Sequence, residues 1–160
     1  MTAVEDLLRN LITGQVNFIL VGAYAAIAHG SQQRTDDVDI CHERTTVNYK
    51  KLMTVLKPLH PRPIDLPSVL KVPFDESSRA QGTNFTLLTD AGRLDLLGEL
   101  SGVGSYRDLL PNSVLIDIAG VACRIASLAD IIRSKEAANR PKDRLALPEL
   151  RALLDAQKRR

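Results

Sequence analysis

Asp37-Val38-Asp39-Ile40-Cys41 alternates acid and apolar residues before it ends on cysteine. Residues two apart in a strand point to the same face. The spacing therefore predicts two carboxylates side by side, with Val38 and Ile40 turned into the core. Adjacent carboxylates repel unless a divalent cation bridges them. The pair either lies on a solvated strand edge or holds a cation for a phosphate-bearing ligand. A further acid, Asp95, sits between Leu94 and Leu96 in an otherwise apolar run. A buried acid needs a partner. If its strand pairs beside that of Asp37 and Asp39, Asp95 joins them in a cage for Mg²⁺; otherwise it pairs with Arg93 or Arg34. Gly22 closes the apolar run Phe18-Ile19-Leu20-Val21 and leads into a helix. A helix N-terminus favours a phosphate, although an ordinary strand-to-helix turn carries the same glycine. Neither GxxxxGK[ST] nor GxGxxG occurs.

The elements that must position these residues follow from periodicity and punctuation. Thr2 with Glu5 makes a capping box, and Val4, Leu7, Leu8, Leu11 and Ile12 follow at helical spacing up to Gly14. Phe18 to Val21 reads as a buried strand, and Ala23 to His29 as a short helix stopped by Gly30. Ser31 to Asp36 reads as a polar loop, with the acidic strand after it. Thr46 is placed to cap a helix carrying Val47, Leu52, Met53 and Leu56. Pro58, Pro61, Pro63 and Pro67 then exclude regular helix. Phe85 to Leu88 and Arg93 to Leu97 read as a hairpin around Asp90-Ala91-Gly92. Gly98, Gly102 and Gly104 mark a loop, and Tyr106 to Leu110 a helical turn. Val114 to Ile118 and Val121 to Ile125 form another strand pair around Gly120. Ser127 caps a helix through about Ala138, Pro141 interrupts, and a last helix is expected from about Pro148 to Gln157. This order predicts an α/β or α+β fold, with helices covering a small mixed sheet. It also predicts a single domain over residues 1–160, its core in about 1–125 and a C-terminal helical segment in about 126–160.

Bulk properties exclude several classes. At 160 residues the chain suits one domain, and a domain of this size buries roughly 70% of its unfolded surface. Net charge is only +2, so the total charge draws the chain to neither nucleic acid nor membrane. Aromatics make up 4% and tryptophan is absent, which argues against a stacking platform for single strands. Cys41 and Cys123 have no CxxC or metal-ligand spacing and read as reduced small hydrophobes. His29, His42 and His60 read as structural. No signal peptide opens the chain, and no apolar run approaches the roughly 20 residues of a membrane span. The expected location is therefore the cytoplasm, without membrane contact.

Taken in order, "VGAYAAIAHGSQQRTDDVDI", "GRLDLLGEL" and "SLADIIRSKEAANRPKDRLALPEL" resemble the minimal nucleotidyltransferase fold, in the branch containing AbiEii-type toxins of toxin–antitoxin systems. That family carries a strand–small residue–helix turn, an Asp-x-Asp pair, a further Asp on a later strand and a C-terminal Lys…Lys-Asp segment. The likeness covers roughly Phe18 to Leu150. It implies that Gly22 and Ala23 form the triphosphate-binding turn. Ala23 departs from the usual Gly or Ser: it keeps the backbone N–H but lacks a hydroxyl. Asp37, Asp39 and Asp95 would be the catalytic and metal-binding acids, with Asp95 also the base towards the acceptor hydroxyl. Two Mg²⁺ ions are implied, with Mn²⁺ as a substitute, and an NTP as substrate. Lys135 follows Leu128, Ile131 and Ile132 on one helical stripe; it snorkels there or, as the family implies, faces the nucleotide. Lys142 and Asp143 belong to the same motif, where Asp143 orients a lysine or contacts the base. Arg34 is placed to clamp a phosphate or to neutralise Asp36. The implied activity is NMP transfer from NTP to a hydroxyl. Its acceptor would be RNA such as a tRNA 3′ end, a protein side chain or a small molecule, and a cognate antitoxin protein would be a partner. The other reading is a catalytically silent nucleotidyltransferase-like module that binds a nucleotide or a partner protein.

Overall fold

A computed structural model describes residues 2–64, 74–75, 78 and 84–160. Its helices are α1 (Ala3–Thr13), α2 (Gly22–Ala28), α3 (Thr46–Leu56), α4 (Tyr106–Leu109), α5 (Leu128–Ala138) and α6 (Pro141–Lys158). Its strands are β1 (Phe18–Val21), β2 (Val38–His42), β3 (Arg62–Pro63), β4 (Phe85–Thr89), β5 (Gly92–Leu97), β6 (Glu99–Leu100), β7 (Gly104–Ser105), β8 (Val114–Ile118) and β9 (Val121–Ile125). Seven strands form one mixed sheet in the order β3-β4-β5-β2-β1-β9-β8. β1 is antiparallel to β2, whereas β2 runs parallel to β5 and β1 parallel to β9. The β4–β5 and β8–β9 hairpins complete the sheet.

The strands sit where their side chains dictate. All four residues of β1 are buried, as expected of a continuous apolar strand in the sheet interior with both faces covered. On β2, Val38 and Ile40 are buried while Asp39 is partly open. The alternation stops at Cys41 and His42, which are both buried. Helix α1 lies against β8, β9 and α3, and α5 packs against α2 and α6. Leu8, Leu11, Ile19, Leu20, Ile40, Leu94, Leu96 and Ile125 lie at the centre of the core. Cys41 and Cys123 are free and buried, and burial pushes both thiols up to about 12.

Several boundaries differ from expectation for local reasons. The capping box of Thr2 and Glu5 forms, with bonds of 2.9 and 3.1 Å. Thr45, not Thr46, caps α3, its Oγ1 accepting from the Asn48 N–H. Gly22 opens α2 instead of merely preceding it. The glycine-marked loop after β5 contains the small β6–β7 ladder. The last helix begins at Pro141 and runs through Pro148. Pro141 occupies the first helical turn, where no N–H is needed. Pro148 lies on the exposed face, so the carbonyl it leaves without a partner can turn to water. Pro63 is tolerated because β3 is an edge strand. Pro67 lies outside the described residues. Among the described residues no helix is long and apolar enough to cross a membrane.

Candidate functional site

Strand register brings the acids together. The β1–β2 ladder sets Val21 opposite Asp39, and the β2–β5 ladder sets Asp39 opposite Asp95. Val21, Asp39 and Asp95 therefore form a row across adjacent strands, with Gly22 beside it at the start of α2. Gly22 has φ +70°, and a Cβ there would run into the Asp39 carboxyl group, with Cγ at 2.9 Å. Backbone conformation and space both demand glycine. Ala23 follows on the first turn of α2 and is partly buried.

Asp37 stands just ahead of β2, its N–H donating to Thr35 Oγ1 at 3.1 Å. Extending the β2–β5 register by one residue sets it beside Arg93. Arg93 and Asp95 lie two apart on β5, so they share a face. The Arg93 Nε is 3.3 Å from Asp95 Oδ1 and 3.9 Å from Asp37 Oδ2. Asp95 is thus a neighbour of the acid pair and a partner of Arg93 at once. The sequence reading treated Arg93 only as an alternative partner for Asp95. The two-residue strand spacing is the signal that could have placed it in the cluster.

Crowding sets the charge state. Burial, followed by the hydrogen bond and charge of Asp95 and the charge of Asp37, raises the Asp39 carboxyl to about 7; Arg93 partly opposes this. The hydrogen bond and the charge of Asp95 both favour the protonated form of Asp39. The unfolded chain releases that proton near 3.8. Between these values the native state binds more protons than the unfolded one, so stability falls as pH rises. In chelator-treated protein this should cost on the order of 4 kcal/mol between about pH 4 and pH 7, levelling above. Asp39→Asn should flatten that slope and leave stability equal or higher at neutral pH. Urea melts across pH test this, and a large loss in the variant at neutral pH would mark Asp39 as a structural ion-pair partner instead.

The donor set is all carboxylate oxygen, which suits a hard cation such as Mg²⁺. No group of three or more His, Cys, Asp or Glu side chains among the described residues is arranged to hold a metal ion. Asp37 and Asp95 both face the Arg93 guanidinium, which offsets their mutual repulsion. Mg²⁺ is commonly held by one or two carboxylates together with substrate phosphates and water, so the adjacent Asp39 and Asp95 fit the ion.

The C-terminal candidates form a separate cluster. Asp143 is wholly buried, and its carboxylate accepts from the Arg140 N–H at 3.0 Å and Arg140 Nε at 2.7 Å. Lys135 Nζ lies 3.7 Å away, on a side chain only 15% exposed. Burial would raise the Asp143 carboxyl, but Arg140 and Lys135 hold it below its ordinary value. Asp143 is therefore ion-paired with Lys135 and closed to solvent. Arg140 escaped the sequence reading, although its position three residues before Asp143 is capping-box spacing. Asp143→Ala should destabilise the chain by about 2–4 kcal/mol, since it strips a buried charge partner from two cations. Asp143→Asn should cost less, and denaturant midpoints of the two variants provide the check.

Lys142 and Arg34 are exposed and have no hydrogen-bond or ion-pair partner among the described residues. The loop bearing Arg34 is tied to α6: Glu149 accepts from Ser31 Oγ at 2.6 Å and from the Gln32 N–H at 2.9 Å. The histidines lie apart from the acids. His29 bonds Ala126 O at 2.8 Å, and His60 pairs with Asp90 at 2.6 Å. Burial lowers His42 to about 4, so it stays neutral.

No family model matches the chain. No curated protein matches it either. Solved structures do match. The antibiotic-resistance factor ANT(2″)-Ia superposes with a TM-score of 0.58 at 15% identity, over 98% of this chain and 89% of its own. A candidate nucleotidyltransferase from Thermotoga maritima superposes with a TM-score of 0.60 at 14% identity, over 96% of this chain and 91% of its own. At these identities the likeness speaks for architecture, and the chain has the nucleotidyltransferase fold: a mixed sheet flanked by helices.

Proposed function

We propose that the chain is a Mg²⁺-dependent nucleotidyltransferase that moves NMP from an NTP to a hydroxyl acceptor. The observation that carries this reading is the pairing of Asp39 with Asp95 across adjacent strands beside the Gly22 turn, with Asp39 raised to about 7 by burial and by the neighbouring carboxylates. A structural ion pair would hold the acid below its ordinary value; this site concentrates negative charge that a cation would relieve. Asp39 and Asp95 would hold Mg²⁺, with Asp37 as a further oxygen donor and Mn²⁺ as a substitute, and two ions fit the expected chemistry. When bound, the metal neutralises triphosphate charge and steadies the pyrophosphate leaving group.

The chain's own residues do the rest. The Gly22–Ala23 turn would offer backbone N–H groups to a phosphate near Asp39. Arg34 and Lys142 supply free positive charge, and Lys135, ion-paired with Asp143, supplies a fixed one. Asp95 takes the proton of the acceptor hydroxyl. The acceptor oxygen bonds the α-phosphorus as the bond to the β-phosphate oxygen breaks. The motif likeness to AbiEii-type toxins supports an RNA acceptor such as a tRNA 3′ end, a toxin-like role and an antitoxin protein as partner. A small-molecule acceptor is the alternative, given that one fold neighbour is an antibiotic-resistance factor.

The test is incubation with MgCl₂, each α-labelled NTP in turn, and total RNA, protein extract or small hydroxyl compounds. Label should pass to one acceptor class with release of pyrophosphate. NTP binding without labelling of any acceptor would favour the silent, nucleotide-binding module. No NTP binding would contradict both readings.

A further inference from the structure

We infer that Arg93 is a built-in counter-ion that competes with a divalent cation for the acids, so that cation binding and release of the guanidinium are one event. This rests on the reading of the acids as a cation site. Arg93 reaches the cluster from β5 itself, two residues from Asp95, and its Nε lies 3.3 Å from Asp95 Oδ1 and 3.9 Å from Asp37 Oδ2. Its single Nε–H can bond one of these oxygens, so Asp95 is hydrogen-bonded and Asp37 is held by charge alone. The Arg93 and Asp37 side chains are 42% and 47% exposed, against 19% for Asp95. The guanidinium therefore sits at the solvent lip of the cluster, while the acid it bonds lies deeper. A cation held by Asp39 and Asp95 would lie next to the guanidinium that Asp95 already binds through Oδ1, and two cations crowded into one cluster repel.

The competition makes opposite predictions from a supporting role. If Arg93 merely braces the ligands, removing it loosens Mg²⁺ binding; if it competes, removing it tightens binding. Calorimetric titration of MgCl₂ into the metal-free full chain, at constant ionic strength, separates the two. Arg93→Gln should bind Mg²⁺ about three- to tenfold more tightly than wild type. Arg93→Lys keeps the charge and should stay within about twofold. In parallel urea melts, Mg²⁺ should raise the midpoint of Arg93→Gln more than that of wild type. The melts also establish that the variant is folded. Unchanged or weaker binding by Arg93→Gln, with wild-type binding intact, overturns the inference alone. A wild-type chain that binds no Mg²⁺ overturns both the inference and the cation reading beneath it.

Discussion

Asp39→Ala should abolish the proposed nucleotidyl transfer, by on the order of 10³-fold or more, in a chain that remains folded. The magnitude follows from the several kcal/mol of charge stabilisation that a positioned metal ion supplies to a phosphoryl centre. Asp39 carries the largest share because it lies in the middle of the row, with Val21 and the Gly22 turn on one side and Asp95 on the other. Folding survives because Asp39 is the strained member of the cluster. Its neighbours penalise its charge, so truncation relieves repulsion while leaving β2 paired on both sides. Rate measurements with α-labelled NTP, alongside circular dichroism of the variant, provide the check. A variant within about tenfold of wild type would remove Asp39 from the chemistry.

Gly22→Ala strikes the same row from its Val21 end. An alanine at φ +70° costs about 1–2 kcal/mol in backbone strain alone. Its Cβ would also press on the Asp39 carboxyl group, pushing it off Asp95. A total loss of about 2–4 kcal/mol is expected, with activity falling on the order of 10²-fold because the displaced carboxylate no longer meets its partner. A double-mutant cycle separates the contributions. With Asp39→Ala in place the steric part of the Gly22→Ala cost should vanish, whereas the backbone part should persist. Full additivity in denaturant melts would show that the two residues do not press on one another.

The sequence carried the elements better than their arrangement. The apolar run of β1, the β4–β5 and β8–β9 hairpins and the caps of α1 and α5 were readable because each depends on neighbours within a few residues. The proximity of Asp39 to Asp95 was only conditional, because it depends on the parallel pairing of β2 with β5. No local pattern encodes which distant strand lies alongside. Arg93 was visible as a partner for Asp95, yet its reach to Asp37 also required that register. The burial of Asp143 was hidden for a similar reason, since it arises from α5 packing on α6. Pro148 misled in the other direction. Its helix-breaking tendency is local, whereas its tolerance in α6 follows from facing solvent.

The central claim is that Asp39 and Asp95, next to the Gly22 turn, hold the cation that binds an NTP for transfer. A crystal structure of the chain with Mg²⁺ and a non-hydrolysable NTP tests this most directly. The predicted result is a metal ion about 2.0–2.1 Å from oxygens of both Asp39 and Asp95, with the triphosphate against Gly22 and Arg93 drawn away from Asp95. A nucleotide bound elsewhere, or these acids still paired with Arg93 and free of metal at saturating Mg²⁺ and nucleotide, would contradict it.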